Sequence, residues 1–122
     1  MPVIPPTVLK KLYVEGSLRL EDSGFAFDLK NLIAPATITE VEGLDVDGEA
    51  IDDSLVAVVP PSGNSRPISQ ISSGTPLHFP VGVVVTLRVA SEPLELGQHE
   101  LTLHLTVKEI GSLDIPISDT VP

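Results

Sequence analysis

Residues 100–108 read Glu100-Leu101-Thr102-Leu103-His104-Leu105-Thr106-Val107-Lys108, and their strict period of two decides the fold class. Successive side chains of an extended chain point to opposite faces, so Leu101, Leu103, Leu105 and Val107 line a core while their neighbours meet water. Upstream, Val83, Val85, Leu87 and Val89 repeat the pattern against Val84, Thr86, Arg88 and Ala90, and residues 94–98 supply the turn between the two runs. Phe25, Phe27 and Leu29 alternate with Ala26, Asp28 and Lys30. Residues 12–20 also alternate, with Tyr13 on the polar side, and Glu21-Asp22-Ser23-Gly24 joins them to the Phe25 run as an expected hairpin.

Further out the punctuation continues. Residues 37–46 are rich in strand formers and end at Asp47-Gly48, a pair suited to a tight two-residue turn, with a short return at 49–51. Residues 55–59 are aliphatic and stop at Pro60-Pro61, because proline cannot donate to a ladder. Residues 60–80 read as a long loop with one short strand near 68–71. Pro116 reduces the run 113–117 to an edge strand or tail, with 116–122 as a C-terminal tail and 1–7 as an N-terminal arm. No stretch shows a helical period. Seven to eight short strands predict an all-β, two-sheet antiparallel sandwich of immunoglobulin-like type over a single domain, 1–122.

Seventeen acidic against seven basic residues give a net charge of -10, which repels phosphate backbones and anionic headgroups. Nucleic acid and membrane are therefore excluded as expected partners. With no cysteine there is neither a disulfide nor a thiolate metal site. The first residues lack a leader pattern and the run 81–87 is too short to span a bilayer, so a cytoplasmic location is expected. Apolar residues make up 42% of the chain although aromatics are only 3%. That aliphatic content predicts a surplus left at the surface, and hence another subunit or a homo-oligomer as partner.

Chemistry-bearing groups are sparse. Asp45, Asp47, Glu49, Asp52 and Asp53 are the only dense carboxylate cluster, but the spacing fails that of a calcium loop and a solvated hairpin face is expected. His78, His99 and His104 lack metal-motif spacing, and strand parity sets His99 and His104 on opposite faces. No nucleophile elbow or phosphate loop is present, so no catalytic, cofactor-binding or metal residues are assigned and no cofactor is expected. Tyr13 is the one candidate for an exposed aromatic platform. In the 60–80 loop, Arg66, Gln70, His78 and Phe79 are the candidate interface residues, since loops on a rigid sandwich commonly carry contacts.

Three stretches carry a family resemblance: Gly24-Phe25-Ala26-Phe27, Val46-Asp47-Gly48-Glu49, and Leu94-Glu95-Leu96-Gly97-Gln98-His99-Glu100-Leu101. In order and spacing they resemble the small beta subunit of bacterial C-glycoside deglycosidases, sandwich proteins that pair with a metal-dependent barrel subunit of the sugar-isomerase type. Residues 30–35 and 108–111 depart from the pattern of such subunits. The resemblance implies a non-catalytic accessory subunit of a sugar- or glycoside-acting enzyme, with catalysis and metal in the partner. The alternative is a self-associating structural or ligand-binding sandwich. A stand-alone hydrolase would need His78 or His99 beside a carboxylate in a cleft.

Overall fold

In the computed structural model, which describes residues 5–22, 24–91 and 94–121, two antiparallel sheets face each other across an aliphatic core. Among the described residues ten strands are formed: β1 Arg19–Glu21, β2 Gly24–Lys30, β3 Ala36–Val46, β4 Glu49–Ile51, β5 Val56–Val59, β6 Arg66–Pro67, β7 Leu77–Phe79, β8 Val84–Val89, β9 Gly97–Val107 and β10 Gly111–Val121. One sheet runs β1-β2-β8-β5-β6, and the other runs β10-β9-β3-β4, with β7 also paired to β3. The count exceeds the expected seven to eight because β4, β6 and β7 are only two or three residues long. Among the described residues, no helix is long and apolar enough to cross a membrane.

The residues of the 100–108 run behave as their period dictates. Leu101, Leu103, Leu105 and Val107 are buried along the C-terminal part of β9, and β10 pairs with it over its whole length, from Gly111 opposite Val107 to Val121 opposite Gly97. β3 is less regular, since its buried residues Ile38, Val41, Leu44 and Val46 are spaced three, three and two apart. Register shifts between Ile38 and Glu40 and between Val41 and Gly43 account for this, because each bulge inserts one residue and re-aims the side chains beyond it. The Asp47-Gly48 turn forms as expected, with φ of 50° and 85°, the left-handed pair of a two-residue hairpin.

Four expectations are corrected. Residues 12–20 do not form a strand: a one-turn helix, α1 (Pro6–Leu9), leads into a 3-10 turn (Lys10–Leu12), a single bridge joins Tyr13 to Leu29, and only Arg19–Glu21 is a strand. The alternation there is broken by non-local bonding, since Asp119 and the Leu18 N–H hold the Tyr13 hydroxyl inward. Residues 68–71 form a 3-10 turn (Ile68–Gln70) rather than a strand, and the 60–80 loop instead carries β6 and β7. The 116–122 tail is strand as far as Val121, because Pro116 lies on an edge strand where its missing N–H is tolerated. Residues 1–4 of the expected arm, Ser23 of the expected hairpin turn, and Pro122 lie outside the described residues.

The fourth correction concerns the aliphatic surplus. Leu, Val and Ile fill the space between the sheets, and the exposed large apolar residues are few: Leu20, Leu32, Ile33, Leu55, Val81, Val84 and Leu96. Both outer faces are polar. On one, Arg19 pairs with Asp28 and Glu21, Arg88 pairs with Glu21, and Thr86 donates to Asp28. On the other, the Thr106 hydroxyl donates to Glu42 beside the His104 cluster.

Candidate functional site

His104 sits on the outer face of β9, opposite Gly43 on one side and Asp114 on the other. Its Nε2 lies 2.8 Å from Asp45 Oδ2 and its Nδ1 lies 2.6 Å from Asp114 Oδ1, so one imidazole bridges β3, β9 and β10. An imidazole that donates from both nitrogens is the cation, and the carboxylates of Asp114 and Asp45 accordingly hold its pKa above the ordinary value. Asp114 is 72% exposed against 38% for Asp45, so water screens the Asp114 arm more strongly despite its shorter bond. Because each ring nitrogen is occupied by a carboxylate, this group cannot converge on a metal ion.

His99 follows the same chemistry at the end of β9. Its Nδ1 is 2.6 Å from Asp47 Oδ2 and its Nε2 is 2.6 Å from the Glu95 carbonyl, which together raise its pKa. Asp47 also accepts from the Glu100 N–H at 2.9 Å, and that bond, with His99 second, holds its carboxyl below the usual range. Two of the resemblance stretches, 46–49 and 94–101, are therefore one structural unit, clasped through Asp47. His99 and His104 bind different aspartates.

The remaining acids of the 45–53 cluster disperse. Asp52 accepts from Ser54 N–H and hydroxyl, capping the 3-10 turn Asp53–Leu55, and Glu49 is exposed. Among the described residues no group of three or more His, Asp or Glu is placed to hold a metal ion.

Tyr13 is not the exposed platform its strand parity suggests. Its ring is buried against Phe27, its hydroxyl donates to Asp119 Oδ2 at 2.6 Å, and it accepts from the Leu18 N–H at 2.9 Å. Burial, reinforced by Asp119, pushes the phenol up to about 12. Asp119 also accepts from Gly16 N–H at 2.7 Å, which pins the loop before β1 onto β10. Sequence reasoning missed this clasp because its partners are 106 positions apart.

The candidate interface residues are not all presented outward. The Arg66 guanidinium donates to the carbonyls of Thr75, Gln70 and Pro76, so its charge organises the loop between β6 and β7. Gln70 and His78 are exposed, whereas Phe79 is buried.

Phe79 is part of the floor of an apolar recess. The recess lies on the inner face of the β9–β10 hairpin, bounded by the β2–β3 loop and Leu12, with a cavity volume of about 40 Å³. Leu105, Val107, Leu113 and Ile115 form its sheet side, while Ile33 and Ala34 form its loop side. Asn31 holds that loop rigid: its buried side-chain amide donates to the carbonyls of Ala34 and Phe79 and accepts from Ile33 N–H. A ligand pocket typically encloses roughly 300–1,000 Å³. This recess is far smaller.

Across residues 8–122 the sequence matches the family model described as hydroxymethylglutaryl-CoA reductase, N-terminal domain. The chain belongs to that family. Within this N-terminal-domain family assignment fall all ten strands and both histidine clusters. No curated protein matches the chain. Among solved structures it is similar to a family 123 glycoside hydrolase from Clostridium perfringens, studied for glycolipid glycan hydrolysis, with 13% identity and a TM-score of 0.31. That similarity covers 80% of this chain and 20% of the hydrolase, so the chain spans about a fifth of its length.

Proposed function

We propose that this sandwich is a non-catalytic accessory module that docks onto the catalytic part of a larger cytoplasmic enzyme. The observation that carries the reading is the family match over 8–122, whose description is that of one domain of a reductase. A hydroxymethylglutaryl-CoA reductase-type catalytic polypeptide is therefore the first expected partner. Supporting it, His99 and His104 are engaged by aspartates in bonds at the surface, and the apolar recess is too small to enclose a substrate.

A second reading keeps the accessory role but gives it a metal-dependent, sugar- or glycoside-acting partner, as in the C-glycoside deglycosidases. It is favoured by the joining of 46–49 to 94–101 through Asp47, which makes the resemblance a contiguous patch. Affinity purification of the tagged chain from its native cells, followed by size exclusion and mass spectrometry, separates the readings. A stoichiometric reductase polypeptide supports the first, and a barrel subunit of the sugar-isomerase type supports the second. A homo-oligomer alone points to the self-associating alternative, and a lone monomer overturns the accessory role.

A further inference from the structure

Four of the seven exposed large apolar residues, Leu32, Ile33, Val81 and Val84, gather at one end of the sandwich. β2 ends at Lys30 opposite Val84, β7 ends at Phe79 opposite Ala36, and β9 ends at Val107 opposite Ile38, so the loops 31–35, 80–83 and 108–110 share that end. The loop 60–65 joins them, since β5 ends at Val59 opposite Thr86. Together these loops carry one acid, Glu109, and one base, Lys108, although the chain has 17 acidic residues. Glu109 is engaged, accepting from the Thr37 N–H and hydroxyl. Asp22, Asp47, Glu95 and Asp119 lie toward the opposite end, in or beside the β1–β2 and β3–β4 turns and the paired strand ends Gly97 and Val121. A chain of net charge -10 thus keeps one end aliphatic and close to neutral.

That end is also held rigid. Asn31 is the only buried side chain among the described residues that is neither aliphatic nor aromatic. Its backbone N–H donates to the Val83 carbonyl at 3.2 Å, its carbonyl accepts from the Gly82 N–H at 2.8 Å, and its side chain binds Ala34, Phe79 and Ile33. The loops that present Leu32 and Val81 are thereby tied to each other. Leu32 and Val81 are 57% and 52% exposed, so these bonds fix apolar tips in water rather than in the core. A surface ordered before it binds loses little conformational entropy on binding.

Charge selects what can cover it. Two copies of so acidic a chain that meet through other surfaces set carboxylates against carboxylates, whereas this end brings aliphatics together and leaves the acids pointing away. A two-fold contact uses the same patch on both copies, so protrusions and hollows must lie side by side. Here the Leu32 tip adjoins the apolar recess, whose loop side is Ile33 and Ala34. We propose that this end is the contact surface of a reversible homodimer, in which the 31–35 and 80–83 loops of two copies of this chain pack together about a two-fold axis. The inference goes beyond the accessory role and does not rest on it. Glu40, opposite Thr106, and Asp114, opposite His104, stand further back on the sheet, so the repulsion that remains between copies is open to screening by salt.

The test is sedimentation equilibrium on the full chain over a wide concentration range. A monomer–dimer equilibrium is expected, and it should tighten as salt is added. Leu32→Glu with Val81→Glu sets carboxylates in the middle of the contact, and is expected to weaken the dimer by at least about tenfold while melting like the parent. Leu96→Glu alters an exposed leucine at the other end and is expected to leave the dimer unchanged. Nitrogen-15 spectra of the parent alone, dilute and concentrated, should differ at residues 31–34 and 81–84, a reading that needs no variant to fold. The proposal is overturned by a chain that stays monomeric up to about 1 mM, or by concentration shifts confined to other residues. It is equally overturned by a dimer that salt disperses, or by one that Leu96→Glu disperses and the double variant does not. A monomeric chain that sediments with phosphatidylserine vesicles through Leu32 and Val81 would assign the tips to lipid and overturn it too. A dimer with no copurifying enzyme would sink the accessory role and leave this surface standing.

Discussion

Removing the hydroxyl of Tyr13 tests whether the clasp between the N-terminal segment and β10 stabilises the sandwich. In Tyr13→Phe the ring still packs on Phe27, but two bonds vanish: the donation to Asp119 at 2.6 Å and the acceptance from Leu18 N–H at 2.9 Å. A hydrogen bond to a charged acceptor contributes roughly 1.5–3 kcal/mol, and an orphaned buried N–H costs about 1–3 kcal/mol. Asp119 keeps its bond to Gly16 and is partly wetted, so the total belongs at the lower end, about 2–4 kcal/mol. An unfolding entropy of about 2.1 cal/mol/K per residue over 122 residues makes each kcal/mol worth about 4 °C, so the melting point is expected to fall by about 8–16 °C.

The same residue gives a second reading in one molecule, because Tyr13 is the sole tyrosine and there is no tryptophan. Its phenol is raised to about 12, so the folded state holds its proton when the unfolded chain, at about 10, has lost it. Stability is therefore full below about pH 10 and falls as pH rises toward about 12, a slope that should be absent from Tyr13→Phe. Ultraviolet difference titration of the parent should place the midpoint near the upper value. A midpoint near that of free tyrosine, or a variant melting within about 2 °C of the parent, refutes the clasp.

The histidines give an opposite pair of limbs at milder pH. His104 and His99 are raised, so their contribution is complete below about pH 6.5 and is lost as pH rises through their folded values, whereas Asp47, Asp52, Glu109 and Asp119 are lowered and contribute fully only above about pH 4.5. Urea midpoints should therefore peak between those limits, and the gap between parent and His104→Leu should shrink steadily from pH 6 to pH 9; a constant gap removes the charged bridge. Asp45→Asn should lower the His104 pKa in a proton-resonance titration more than Asp114→Asn does, because the Asp114 carboxylate is the more exposed. Asp47→Asn should preserve the turn, since asparagine tolerates the φ of 50°, while Asp47→Ala loses both the conformation and the Glu100 bond and should be the less stable by chemical denaturation. Gly24→Ala places a Cβ 1.8 Å from the Val89 carbonyl oxygen at a φ of 152°, so it should unfold or displace β2 from β8 by circular dichroism. An unperturbed variant would mean the strands part more easily than their packing implies.

The elements read correctly from sequence are those whose partners are near in the chain or whose period is long. β9, with four buried aliphatics at spacing two, and the Asp47-Gly48 hairpin fall in this class. β3 was legible as a strand but not in its register, because two bulges are set by pairing with β9 and leave no mark in local composition. Residues 12–20 show the converse: their alternation was genuine, yet Tyr13 finds its acceptor 106 positions away and turns the chain. The site was illegible for the same reason. His104 meets Asp45 and Asp114 only after three strands align, and the recess is assembled from four separate segments.

That distinction also explains why aliphatic abundance was a poor guide to the surface. A two-layer sandwich of strands as long as eleven residues has two inner faces to fill, and branched side chains fill them without help from bulky aromatics. Total apolar content therefore measures the thickness of the core rather than the size of an interface.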